Sequence, residues 1–254
     1  MSLADDINSE LRKIWKIWKD GLEPGKKPLY DEFLDRWPMQ YPELAENRIV
    51  FVGLNPSFDD NRDKVCKLDD VNDLNSDKKI KEIKDAQRES LGRKPECPEC
   101  KIYPYYAAFE DFVKELNKRL KPQFDWEALE IFSVRERNQS KVMKFLKSNS
   151  VWTDFAKDQW KVFYKALNQI MPVCVVVANA FASDLISNYE SEADGLEPKF
   201  QIESSTDRGY GTITLNGRAV PLLLSGMISG QRQLDKYSRE RLIWMTRKSI
   251  EENR

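Results

Sequence analysis

Apolar residues recur along this chain with two different periods, and the way they alternate sets the expected architecture. Between residues 4 and 20, Ile7, Leu11, Ile14, Trp15 and Trp18 fall at helical spacing, and Gly21 and Pro24 close the segment. Tyr30 to Trp37 reads as a second, short helix stopped by Pro38. Ile49 to Gly53 is different: a short apolar run without alternation, as expected of a strand buried on both faces. Tyr103 to Leu120 returns to the helical period, with Tyr106, Phe109, Phe112, Val113 and Leu116 on one face. Leu129 to Val134 reads as a second strand, followed by the polar turn Arg135-Glu-Arg-Asn-Gln139. Phe155 to Ile170 is helical and is stopped by Pro172; Val173 to Ala178 is a third buried strand, and Asn179 to Tyr189 opens the next helix. Gly211 to Leu215 and Ala219 to Leu224 flank Asn216-Gly217, a strong hairpin signal, and the second arm is apolar enough to enter the central sheet. Asp235 to Glu252 is a long last helix.

Strands that alternate with helices imply a mostly parallel sheet covered on both faces. The expected fold is therefore α/β, three-layered (α/β/α), with a central, mostly parallel four-stranded sheet. It forms one domain over residues 1–254, with N-terminal helices (4–37) and a charged insertion (59–101). In that insertion Asp, Lys, Glu, Arg and Asn dominate, so it reads as a solvated excursion, partly helical or mobile. Directly after a site-forming turn, such a segment suits a lid as readily as an inert loop.

Composition narrows the chemistry. The chain of 254 residues is 41% hydrophobic and 33% charged, with a net charge of −1, which argues against a broadly basic nucleic-acid coat but permits a local basic cleft. No apolar run reaches the roughly 20 residues that span a bilayer, and Asp5 and Asp6 follow too early for a signal peptide. A cytoplasmic, monomeric protein without membrane contact is expected. There is no histidine, which removes histidine-based triads, Cys-His pairs and HExxH zinc sites. Of four cysteines, Cys97 and Cys100 have the spacing of half a metal site and Cys66 offers a third ligand, but a fourth is missing; Cys174 lies in a buried strand. The simpler expectation is reduced thiols, with no metal and no cofactor.

In a parallel sheet, ligands bind beyond the carboxyl ends of the strands. The first such end is Gly53-Leu-Asn-Pro-Ser-Phe58. Gly53 permits close approach, Pro56 pushes Asn55 into an extended conformation, and Asn55 can present an amide to a ligand or water. A plain Asn-Pro-Ser turn is the alternative. Arg135 and Asn179 stand at the second and third ends. The fourth is Ser225-Gly-Met-Ile-Ser-Gly-Gln-Arg232, where backbone N–H groups and Arg232 suit a phosphate. Met227 and Ile228 suit either a wedge between bases or ordinary core packing.

These motifs resemble the uracil-DNA glycosylase superfamily. Its mismatch-specific and single-strand-selective branches carry Gly-x-Asn-Pro-Gly after the first strand; Gly53, Asn55 and Pro56 match, and Ser57 replaces the last glycine. The order of elements agrees from about residue 48 to 250. The resemblance implies that Asn55 positions the hydrolytic water. It implies that Gly53, Leu54, Pro56, Ser57, Phe58, Arg135, Asn179, Ser225 and Gly226 line the base site, with Phe58 stacking on the base. Met227, Ile228, Ser229, Gly230, Gln231 and Arg232 would contact DNA. The second motif departs from the family: Ser225-Gly-Met-Ile-Ser-Gly230 stands where His-Pro-Ser or Asn-Pro-Ser is usual. The expected function is excision of uracil or a related damaged base from DNA by base flipping. The alternatives are a non-catalytic nucleic-acid or nucleotide binder, and an enzyme of nucleosides or sugar phosphates.

Overall fold

The computed structural model describes residues 2–21, 31–93, 102–187, 193–205, 207–229 and 233–253. Its centre is a six-stranded sheet in the order β2-β1-β5-β8-β7-β6. The strands are β1 (Ile49–Gly53), β2 (Trp126–Glu130), β5 (Cys174–Ala178), β6 (Gln201–Glu203), β7 (Gly211–Leu215) and β8 (Arg218–Ser225). Strands β2, β1, β5 and β8 run parallel, whereas β7 and β6 add antiparallel to one edge. The sheet thus has six strands rather than the expected four. The hairpin arm β7 pairs fully with β8, and β6, too short to leave a clear period, pairs with β7. Asn216 (φ 47°) and Gly217 (φ 78°) turn that hairpin, as the left-handed conformation at both positions requires. Asn216 is tied back through its N–H to the Asn168 Oδ1 at 3.0 Å.

Helices cover both faces. Alternate residues of β1, Val50 and Val52, point into one core with α1 (Leu3–Asp20), α4 (Gln139–Leu146), α5 (Asp154–Ile170) and α6 (Ala180–Ser187). Ile49 and Phe51 point into a second core with α3 (Pro104–Asn117) and α7 (Lys236–Glu252). Period-2 side chains from one apolar strand therefore feed two separate cores, which is why β1 shows no alternation in its sequence. Phe51 stacks on Phe109 at 4.3 Å between ring centroids. On the opposite side Trp15 of α1 meets Phe155 of α5 at 5.0 Å. Cys174 is buried in the α7 core, and burial pushes its thiol up to about 12, so it is an inert packing residue.

The charged insertion folds onto the domain. It holds 3-10 turns at Lys64–Cys66 and Val71–Asn75 and helix α2 (Asp77–Ser90). Cys66, Leu68, Leu74 and Ile83 are buried against the α1 side, Leu91 is buried in the α3 core, and Val65 stays exposed. Near Tyr30 to Trp37 the described residues form a 3-10 helix, Asp31–Asp35. Between α4 and α5 lies a two-stranded ribbon, β3 (Lys147–Ser148) with β4 (Val151–Trp152), which no periodicity announces.

The second strand lies earlier than the apolar run suggests. It spans Trp126–Glu130, and all five residues are buried even though two are glutamates. Glu127 accepts from Arg48 at 2.7 Å and Arg93 at 3.0 Å. Buried ion pairs conceal this half of the strand from a hydrophobicity pattern. Glu130 has no such partner, and it belongs to the candidate site.

Candidate functional site

The carboxyl ends of the four parallel strands are Gly53, Glu130, Ala178 and Ser225, with Gly53 opposite Glu130 and Ala178 opposite Ser225. Past the β1–β2 ladder the two chains continue to pair. Ile131 N donates to Gly53 O at 3.0 Å, Phe132 N to Leu54 O at 2.9 Å, and Glu136 N to Pro56 O at 3.0 Å. This seam places the Asn55 side chain between the two loops. Its Nδ2 donates to Glu136 O at 2.7 Å and to Val134 O and Pro56 O, each at 3.1 Å. Three carbonyls can face only the nitrogen end of an amide, so the orientation is determined. The oxygen end, Oδ1, is buried and has no partner among the described residues. The amide N–H groups thus bind the protein rather than a ligand, and a rigidly held acceptor remains.

Gly53 acts through what fills the space beside it. A Cβ there would lie 2.2 Å from Glu130 Oε2 and 2.9 Å from the Tyr105 hydroxyl. Glu130 is 3% exposed, and its Oε2 is a second buried acceptor without a partner. Burial pushes its carboxyl up to about 8, against a smaller opposing pull from Arg135. Around it, Tyr41 offers its hydroxyl to the Glu130 N–H at 3.2 Å, and Gln87 of α2 donates to the Tyr106 hydroxyl at 3.2 Å. The insertion and the start of α3 therefore wall in this carboxyl. On the other side of the strand, a cavity of about 10 Å³ between Tyr41, Glu130, Ser133 and Gln159 has room for about one water. Gly53→Ala is expected to destabilise the protein by about 1–3 kcal/mol through overpacking, and by less in a Glu130→Ala background. Equal urea midpoints for wild type and Gly53→Ala would refute the close contact.

Glu130 is not among the residues that the sequence pattern singles out. The available signal was a glutamate inside an otherwise apolar run, Leu129-Glu-Ile-Phe132. A buried polar residue is more informative than the apolar residues around it.

Several expected contacts sit elsewhere. Phe58, the expected stacking ring, is buried, with the Arg36 guanidinium 4.2 Å from its centroid. Arg135, expected to line the base site, is buried too: its Nε donates to Trp37 O at 3.0 Å, so it fastens the 37–41 segment. Asn179 is buried and caps α6, its Oδ1 accepting from Ala182 N at 3.1 Å. Ser225 exchanges hydrogen bonds with the Ser183 hydroxyl at 2.8 and 3.2 Å. Ile228 and Ser229 are buried and Ile228 belongs to the α3–α7 core, so the wedge expected there is packed inward. Met227 is half-buried, and Gly226 would meet a Cβ only at ordinary contact distance, 3.7 Å from Leu234. Leu54 and Pro56 are buried and Ser57 half-buried. Gly230, Gln231, Arg232, Cys97 and Cys100 lie outside the described residues, among which no cluster suited to a metal occurs.

The cations near Asn55 are paired. On the 134–137 loop that receives its amide, Arg36 meets Glu136 at 3.0 Å and Arg137 meets Asp59. Among the described residues no helix is long and apolar enough to cross a membrane. No protein-family model, curated protein or solved structure matches the chain, so the functional argument rests on this geometry.

Proposed function

We propose that this protein hydrolyses the N-glycosidic bond of uracil or a related damaged base in DNA, with Asn55 at the reacting centre. The observation that carries this reading is the orphaned Oδ1 of Asn55, held rigid by three carbonyls at the end of a central strand. Oδ1 has no exposed surface in this structure, so a water reaches it only when the loops on either side part; the acceptor then takes one hydrogen from that water and leaves its lone pair free to attack. In the reaction the C1′–N bond breaks, the water oxygen bonds to C1′, and a water proton ends on the released base. The transition state carries a cationic sugar and an anionic base, so fixed dipoles suffice and histidine is not required.

Glu130 fits the same reading. A neutral carboxyl presents one donor and one acceptor side by side, the complement of the N–H and C=O edge of uracil. Tyr105 packs against the same position, so a flipped base reaches Glu130 only when the first turn of α3 shifts. Base flipping supplies the extruded nucleotide.

The test is excision from uracil-containing single- and double-stranded oligonucleotides. Wild type is expected to release base slowly, and Asn55→Ala to lose at least 100-fold of that rate. Excision that survives Asn55→Ala would overturn the role of Asn55, and its absence on every substrate would overturn catalysis. A second reading, a non-catalytic nucleic-acid or nucleotide binder on the same scaffold, is favoured by the buried Phe58 and Ile228 and by the paired cations around Asn55. It predicts binding without base loss.

A further inference from the structure

The cations that are paired around Asn55 find a counterpart on α7. That helix begins beside the carboxyl end of β8: Leu234 N donates to Met227 O at 2.9 Å, and Asp235 caps the first turn through Tyr237 N and Ser238 N. From there it runs back along the sheet. Tyr237 and Trp244 are 78% and 50% exposed. Seven residues apart, they lie on one helix stripe, separated by about 10 Å along the axis. Arg241, exposed, stands between them on the same stripe and has no ion-pair or hydrogen-bond partner among the described residues. One turn beyond, Lys248 holds its Nζ 5.6 Å from the Trp244 ring.

The charge on this helix is asymmetric. Its carboxylates are each matched within the helix: Glu240 by Lys236 at 3.9 Å, Glu251 by Arg247 at 3.9 Å and Glu252 by Lys248 at 3.7 Å. Arg241 is left unmatched in a chain whose net charge is −1, while half-buried Arg239 lies within electrostatic reach of Glu115 on α3. A single exposed ring needs no explanation. Two flat rings on one stripe with an unpaired guanidinium between them form the combination that unpaired nucleic acid uses: ring faces for bases and cations for phosphates. A protein partner is less well served, because the stripe Tyr237–Arg241–Trp244–Lys248 offers it no aliphatic side chain to bury.

We propose that the Tyr237–Arg241–Trp244 stripe of α7 is a binding platform for single-stranded nucleic acid, with bases stacked on the two rings. The inference rests on the nucleic-acid reading above but not on base excision. The platform starts beside the end of β8, at the same carboxyl edge of the sheet as the β1–β2 site but separated from it by β5.

The test uses the full chain and labelled oligo(dT) in fluorescence anisotropy, with an unmodified duplex of equal length as comparison. Replacing both rings by leucine, Tyr237→Leu with Trp244→Leu, keeps apolar bulk but removes the flat faces. It is expected to weaken oligo(dT) binding at least tenfold and to leave duplex binding and the melting temperature unchanged. The doubly conservative variant Tyr237→Phe with Trp244→Phe is expected to keep most of the affinity. Arg241→Ala should reduce the salt slope by about 0.7. Ile17→Ala, which removes an exposed apolar side chain on α1, should change nothing. The proposal is overturned if wild type fails to bind oligo(dT), if the double leucine variant binds it as well as wild type, or if the substitutions change the sedimenting mass and not the affinity. Excision assays on the same variants separate this outcome from a failure of the catalytic reading.

Discussion

Glu130→Gln is expected to stabilise the protein above pH 8 and to remove much of the loss of stability that wild type suffers between pH 5 and 8. In the unfolded chain this carboxyl ionises near its ordinary value of 4.5, whereas in the folded protein it keeps its proton up to about 8. Between those values the folded state binds a proton that the unfolded state has released, so stability falls as pH rises. Below about 4.5 both states are protonated and the penalty vanishes; above about 8 both are ionised and the penalty is complete. Integrated over that window, the loss is on the order of 5 kcal/mol, comparable with the whole stability of many domains. A glutamine has nearly the same shape and does not ionise. Urea midpoints at pH 5, 7 and 9 are the measurement. The two proteins should nearly coincide at pH 5 and diverge steadily above it. Parallel curves would mean that Glu130 is solvated or paired.

The second large effect is expected at Asn55, where the isosteric substitution should be worse than the truncation. Asn55→Ala removes the donor shared by Pro56, Val134 and Glu136 and leaves their carbonyls short of a partner, at a cost of about 2 kcal/mol. Asn55→Asp places an acceptor against the same three carbonyls, and at neutral pH a negative charge as well, at a cost of about 3–5 kcal/mol. The sign of its pH dependence follows. The carbonyl dipoles favour the protonated acid, which donates as the amide did. The Asp variant should therefore recover stability as pH falls toward the ordinary carboxylate range. Chemical denaturation of the three proteins at pH 4.5 and 7.5 checks this. An aspartate variant as stable as wild type at pH 7.5 would mean that the amide does not face the carbonyls.

The two sites differ in how far their sequences announce them. Gly53-Leu-Asn-Pro-Ser57 was legible as a site-forming turn because a glycine, an asparagine and a proline follow an apolar run. Those residues constrain the backbone wherever they occur. The strand ends at β1, β5 and β8 were legible for the same reason. The apolar pattern alone sets the β2 end too late, because Glu127 and Glu130 interrupt it and their burial depends on distant groups. Arg48 and Arg93, which neutralise Glu127, come from other parts of the chain. Phe58, Ile228 and Arg135 read as exposed contacts because they follow strand ends. Nothing local indicates that Arg36, the α3–α7 core and the Trp37 carbonyl would enclose them.

Periodicity and backbone chemistry are local, and they were enough for the α/β class, the helix faces, the Asn216-Gly217 hairpin and the position of Asn55 in a turn. The end of Asn55 that stays free, the proton on Glu130 and the closure of the space beside Gly53 were decided only by tertiary structure. Each depends on groups brought together across the β1–β2 seam and from α3. An acceptor becomes orphaned, or a carboxyl neutral, through the neighbours that folding places around it.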